Sequence, residues 1–181
     1  MLLISKIDNF GEIQRIDMKV DLIERKTKKI HTAEITIAKS KDIPFKKDGW
    51  KFNWRNLYKT DSALILKISL LESPNVMEGM MMLTILFDEM VYMDNVEVAP
   101  HNYGKNKKFE NVAGSLIAFA CLEAFIIGKN AYNGFLSFTS KTELIELYAQ
   151  KYGAILAMNS RMYIDSEIAK KLINQYLKIK L

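Results

Sequence analysis

The chain has 181 residues, 49% of them hydrophobic and 26% charged. That is enough apolar material for one domain with a substantial core, and too much for a disordered chain. A net charge of +5 suits an anionic ligand, either nucleic acid or a phosphorylated cofactor. No apolar run is long enough to cross a bilayer, the opening Met1-Leu-Leu-Ile-Ser-Lys is not a secretory leader, and the single Cys121 excludes an internal disulfide, so the expected compartment is the cytoplasm.

Residues 1–40 alternate apolar and polar through Ile13, Ile16, Met18, Val20 and Leu22, then Ala33, Ile35 and Ile37, and predict strands. Residues 39–47, with Pro44, read as a connection, and Gly49-Trp-Lys-Phe-Asn-Trp54-Arg55 as an aromatic packing segment. Residues 63–71 predict a strand closed by the turn material Ser73-Pro74-Asn75. Residues 79–87 are apolar on both faces and predict a central strand, with the methionine run as core filler. After a turn at Asp88-Glu89, residues 90–99 predict a third strand.

Residues 113–127 carry one charge, Glu123, and predict a helix buried on most of its surface and stopped by Gly128. A short strand follows over 134–138. Ser140 with Glu143 three residues on predicts a capping box opening a helix whose inner stripe is Leu144, Ile145, Leu147, Tyr148 and Tyr152, ending at Gly153. Residues 154–159 and 161–164 predict a hairpin, and Asp165 or Ser166 caps a last helix. No repeat or low-complexity linker divides the chain. One domain over 1–181 is expected, with a divergent part at 1–55, a core at 60–164 and a closing helix at 165–181.

Three basic clusters stand out: residues 25–29; Lys105, Lys107 and Lys108; and Lys170, Lys171, Lys178 and Lys180. Each reads first as a solvated face. His31 and His101 are the only histidines and are seventy positions apart, with no metal-ligand spacing around them, so no metal is expected. Cys121, mid-helix in apolar company, reads as a structural thiol.

The order of elements from residue 90 onward is strand, long loop, apolar helix, strand, tyrosine-bearing helix and glycine stop. With Val96-Glu-Val-Ala-Pro100, Asn111-Val-Ala-Gly-Ser115 and Leu147-Tyr-Ala-Gln-Lys-Tyr-Gly-Ala154, it resembles the second half of the GNAT family of N-acetyltransferases, over roughly residues 60–164. The family pattern Leu-Tyr-x-x-x-Gly-Phe keeps its spacing here, with Ala154 in place of Phe. In the family's Gln/Arg-x-x-Gly-x-Gly/Ala loop, Gly114 takes the final small position and Val112 replaces the first glycine. Lys141 stands where the family often has Asn.

The resemblance implies a mixed α/β fold, a mostly antiparallel central sheet flanked by helices, and an enzyme moving an acetyl group from acetyl-CoA to an amine by direct attack. It implies a cofactor held by Val98 and Ala99 on the strand, by Lys105, by Asn111, Val112, Ala113, Gly114 and Ser115 at the helix head, and by Lys141. Tyr148 would protonate the departing thiolate. Asp94 or Glu97 would take the amine proton, with Glu97 preferred because it lies nearer the place where GNAT strands splay. The alternative is a non-catalytic protein on the same scaffold that binds CoA or nucleic acid. Expected partners are acetyl-CoA and an amine acceptor of unspecified kind; a homodimer fits this picture, a membrane does not, and nucleic acid comes second.

Overall fold

Alternation decides the first hairpin. Val20 and Leu22 are buried on β1 (Asp17–Glu24), Ala33 and Ile35 on β2 (Ile30–Ile37), and the strands pair antiparallel with Val20 opposite Ala33. The computed structural model describes residues 17–181, so Ile13 and Ile16, expected to begin this strand, lie outside the described residues.

Residues 38–63 form short 3-10 turns and one helical turn, α1 (Trp54–Leu57), capped by the Asn53 side chain, which accepts from the Asn56 N–H at 3.3 Å. Trp54 is fully buried, in a cluster with Trp50, Ile65, Met80, Met82 and Ala99. Aromatic packing, as expected, is the role of this segment.

Next come β3 (Leu64–Leu70), β4 (Ser73–Leu86) and β5 (Met90–Val98). The first turn differs from expectation: the chain reverses at Leu71-Glu72, and Ser73-Pro74-Asn75 already belongs to β4. Pro74 lacks an N–H, yet it is exposed at the strand's second residue, where no ladder bond is demanded, and its carbonyl accepts from Lys67 Nζ at 3.3 Å. Met80, Met81, Met82 and Leu83 are all buried, which requires cover on both faces of β4.

The chain divides into two compact units, residues up to Met82 with Asn95–Leu116, and Leu83–Asp94 with Ile117–Leu181; β4, β5 and α2 (Val112–Ile127) contribute to both. In the first unit the strand order is β6-β1-β2-β3-β4-β5, where β6 (Phe109–Glu110) pairs antiparallel with the end of β1. In the second it is β4-β5-β7-β9-β8, with β7 (Leu136–Thr139), β8 (Ile155–Met158) and β9 (Arg161–Ile164). β5 and β7 run parallel, from Val91 opposite Leu136 to Met93 opposite Phe138, and β9 lies antiparallel to both β7 and β8. The sheet is therefore mixed and mostly antiparallel, flanked by α2, α3 (Ile145–Tyr152) and α4 (Ser166–Leu172).

Gly79 admits the head of α2 to the first unit's sheet. A Cβ there would lie 2.9 Å from Val112 Cγ1, 3.0 Å from the Glu97 carbonyl and 3.2 Å from Leu116 Cδ1. The capping box is not made. Ser140 Oγ donates to the Lys141 carbonyl at 2.9 Å, a 3-10 turn fills Thr142–Leu144, and α3 begins only at Ile145. Ser140 therefore lies five positions before the first residue of α3, too far upstream for its oxygen to accept from that helix's first turn. Gly153 does end α3, with φ +68°, and Asp165 caps α4 by accepting from the Ile168 N–H at 2.9 Å.

Glu123 sits on the apolar α2, 8% exposed, and burial pushes its carboxyl up to about 7. A carboxyl raised in the folded state holds its proton between about pH 4.5 and 7 while the unfolded chain releases it, so stability falls as pH rises through that window. Glu123→Gln is expected to remove the fall, leaving the variant about 2 kcal/mol more stable than the parent at pH 8 and close to it at pH 4.5. Denaturant unfolding at the two pH values measures this; a parallel pH response in both proteins would contradict it.

Candidate active site

The loop after β5 is folded by two buried carboxylates, both in the first unit. Glu78, 1% exposed, accepts from Asn102 Nδ2 at 2.7 Å and bonds to His101 Nε2 at 2.6 Å. Asn102 also donates to the Glu78 carbonyl at 3.1 Å, and its Oδ1 accepts the Phe109 N–H at 2.9 Å. One asparagine thus holds both ends of the 102–109 loop against β4, and Pro100–Asn102 closes into a 3-10 turn. Lys105, Lys107 and Lys108 rise from this frame, with Lys108 Nζ 5.0 Å from the Phe109 ring centroid.

Glu97, 5% exposed, accepts from the Lys51 N–H at 2.6 Å, the Phe52 N–H at 3.2 Å, Trp54 Nε1 at 2.8 Å and the Tyr103 hydroxyl. Four donors converge on two oxygens, so this carboxylate satisfies otherwise orphaned groups from residues 51–54 and fastens Tyr103 to β5. Burial and the Glu97 charge push the Tyr103 hydroxyl pKa far above its ordinary value, keeping it protonated as a donor. Lys51 Nζ lies 4.7 Å over the Tyr103 ring.

The head of α2 follows Asn111, which takes the left-handed φ of 71° that asparagine tolerates. Ser115 N–H donates to the Asn111 carbonyl at 2.8 Å, beginning the helical ladder. Among the described residues, the Val112, Ala113 and Gly114 N–H groups have no acceptor, as the first turn of a helix dictates. Ser115 Oγ is fully buried there and has no hydrogen-bond partner among the described residues. Three free N–H groups, an orphaned hydroxyl and the adjacent small Ala113 and Gly114 suit a diphosphate, with the helix dipole favouring the negative charge.

In the second unit, Asp94 is half-buried and accepts from Thr84 Oγ1 at 2.8 Å; burial raises its carboxyl pKa, partly offset by that bond. The Tyr148 ring packs on Phe138 at 4.9 Å and on Tyr152 at 5.9 Å between centroids. Its hydroxyl has no hydrogen-bond partner among the described residues, and burial raises its pKa. Such a phenol keeps its proton at neutral pH and has it to give. Lys141 precedes the 3-10 turn that leads into α3. β7 stops at Thr139, one residue past Phe138, whereas β5 runs on from Met93 to Val98.

Of the residues singled out in the sequence, Glu97, Val98, Ala99, Lys105 and Asn111–Ser115 belong to the first unit, and Asp94, Lys141 and Tyr148 to the second. Sequence reasoning missed Glu78, Asn102 as a loop clamp, and the Trp54 and Tyr103 partners of Glu97. The available signal was Glu78 in an otherwise apolar run beside Gly79, since a carboxylate in such company must find donors. Among the described residues no group of three His, Cys, Asp or Glu could hold a metal ion, and no helix is long and apolar enough to cross a membrane.

No protein-family model and no curated protein matches the chain in sequence. Solved structures match it in three dimensions. The structure of AtaTR bound with acetyl-CoA superposes with a TM-score of 0.53 and 12% identity, over 77% of this chain and 97% of that one. A GNAT family acetyltransferase from Elizabethkingia anophelis with acetyl-CoA bound gives a TM-score of 0.48 and 20% identity, over 70% of this chain and 78% of that one. A GNAT family acetyltransferase from Staphylococcus aureus Mu50 gives 0.47 and 11%, over 74% and 99%. Among the described residues β5 and β7 form the one parallel pair and α2 follows the long loop, and the superposition at a TM-score of 0.53 shows that this chain shares the fold of the AtaTR structure.

Proposed function

We propose that the protein is an acyl-CoA-dependent N-acyltransferase, in first place an N-acetyltransferase, that transfers an acetyl group from acetyl-CoA to an amine by direct attack. The observation that carries this reading is the pairing of a strand end with a bare helix head. In the first unit β5 runs on to Val98, and α2 opens with three N–H groups and a Ser115 hydroxyl that have no partner among the described residues. A pantetheine arm can add to a strand edge through its amides, and a diphosphate can sit on a helix N-terminus.

In this assignment the backbone of Val98 and Ala99 takes the arm. The N–H groups at Val112, Ala113 and Gly114, with Ser115, Asn111, Lys105 and Lys141, take the phosphates and their surroundings. The acceptor arrives protonated and gives a proton to Asp94, whose burial makes it the more basic kind of carboxylate. The neutral nitrogen attacks the thioester carbon, the C–N bond forms, the C–S bond breaks, the thiolate takes the Tyr148 proton, and the proton then shed by the acylated nitrogen passes through water to the Tyr148 oxygen, restoring the phenol. Glu97, with its lone pairs committed to four donors, is assigned to positioning β5 and the loop rather than to proton transfer. Holding the reactants in line supplies most of the acceleration.

A second reading, CoA binding without turnover, is favoured by Val112 and Lys141 standing where the family has Gly and Asn. Incubation with acetyl-CoA and a panel of amines, with free CoA thiol and acetylated product followed together, decides between them. Stoichiometric appearance of both supports transfer. Thioester retention with every amine, alongside measurable acetyl-CoA binding, would leave only the second reading.

A further inference from the structure

A cleft of about 470 Å³ lies wholly within the first unit. It is lined by Met77 from β4, by Ala99 and Pro100 just beyond β5, and by residues between 41 and 55. This inference rests on the N-acyltransferase reading, since the cleft abuts Ala99, where the cofactor arm is assigned.

Four side chains at this cleft carry formal charge: Lys41, Asp42, Asp48 and Arg55. Asp42 is already satisfied. Its Oδ1 lies 3.1 Å from Lys67 Nζ, its Oδ2 accepts the Lys39 N–H at 2.8 Å, and these contacts hold its carboxyl below the ordinary range. His101, which also lines the cleft, is bound to the buried Glu78. Among the described residues neither Asp48 nor Arg55 forms an ion pair. What remains to meet a ligand is one carboxylate against a guanidinium and an ammonium.

Arg55 is held for that purpose. Its guanidinium carbon lies 3.6 Å from the Phe45 ring centroid, and Arg55 itself is exposed. Its helical turn is anchored by Trp54, fully buried, and by the Asn53 cap. A guanidinium against an aromatic ring, with no ion-pair partner of its own, is a group that takes a carboxylate bidentately. A ligand carrying several ammonium groups and no anion would set its charges against Lys41 and Arg55.

We infer that the acceptor is an amine that also bears a carboxylate, an amino-acid-type substrate, with Arg55 binding the carboxylate and Asp48 facing the ammonium. Trp50 and Phe45 supply the apolar wall for the rest of the molecule. Polyamines are then poor substrates.

The test uses matched pairs: the twenty common amino acids against the amines left when each loses its carboxylate, such as lysine against cadaverine and phenylalanine against phenethylamine. Binding to the full chain without acetyl-CoA and acetylation with it are read separately. At least one amino acid is expected to exceed its decarboxylated partner by about tenfold to a hundredfold in binding and in kcat/KM, the range of a charge-assisted arginine contact. Arg55→Gln is expected to abolish that preference by raising KM, with kcat nearly kept and the decarboxylated amine changed less than about twofold; Arg55→Lys restores it only in part. No preference for any carboxylated member, or one that survives in Arg55→Gln, overturns the inference, whether or not acetyl-CoA binds. An Arg55-dependent preference in binding with no response to acetyl-CoA would uphold the cleft and overturn acetyl transfer instead.

Discussion

Tyr148→Phe is expected to leave acetyl-CoA affinity within about twofold and to lower turnover about 100- to 1,000-fold, the usual contribution of a positioned general acid. The substitution removes one oxygen. The ring keeps its packing on Phe138 and Tyr152, and no hydrogen bond among the described residues is broken, because the hydroxyl makes none. Stability should therefore change little. What is lost is a proton donor whose pKa is held above the ordinary phenol value by burial, one that stays protonated across the neutral range. Without it the thiolate must leave unprotonated or wait for solvent. A Phe variant that turns over as fast as the parent would take Tyr148 out of the reaction.

The largest effect on stability is expected at Glu97. Replacing it by alanine strands the Lys51 and Phe52 N–H groups, Trp54 Nε1 and the Tyr103 hydroxyl in a site where water reaches few of them. Each buried orphan costs about 1–3 kcal/mol, and water will recover part of that, so a total of about 4 kcal/mol is a fair expectation. Glu97→Gln keeps one good acceptor and turns the other into a donor facing donors, so it should fall between. Trp54→Phe, which removes a single donor and keeps most of the ring's bulk, should cost the least of the three. Denaturant midpoints rank the series. If Glu97→Ala unfolds at the parent's midpoint, the carboxylate does not organise the segment at residues 51–54.

These two residues illustrate what the sequence could and could not tell. The helix that carries Tyr148 was legible because its signals are local: a leucine before the tyrosine and, five residues on, a glycine that takes the left-handed conformation. The strands at residues 63–71 and 90–99 and the apolar α2 were legible for the same reason, since their patterning is written within a dozen residues. Glu97 was legible only as a carboxylate near a strand end. Its partners come from residues 51–54 and from Tyr103, and periodicity within one strand carries no information about which distant donors converge on it. The Glu78–Asn102–His101 clamp was invisible for that reason too. The failed capping box has a local cause: Ser140 had the right spacing to Glu143, but a 3-10 turn over Thr142–Leu144 delays the helix to Ile145 and leaves Ser140 outside its first turn. At Pro74 the turn composition was real but shifted, because proline is tolerated at the exposed start of a strand.

The claim that this scaffold holds acetyl-CoA is tested most directly by the melting temperature of the full chain with and without the thioester, with ATP as an equally polyanionic control. Binding to the folded state alone contributes about 2.7 kcal/mol at a hundredfold excess over Kd, and for a chain of this length that is a rise of about 5–10 °C. The account predicts such a rise with acetyl-CoA at millimolar concentration and a much smaller one with ATP. No shift with acetyl-CoA, or the same shift with both, would contradict it.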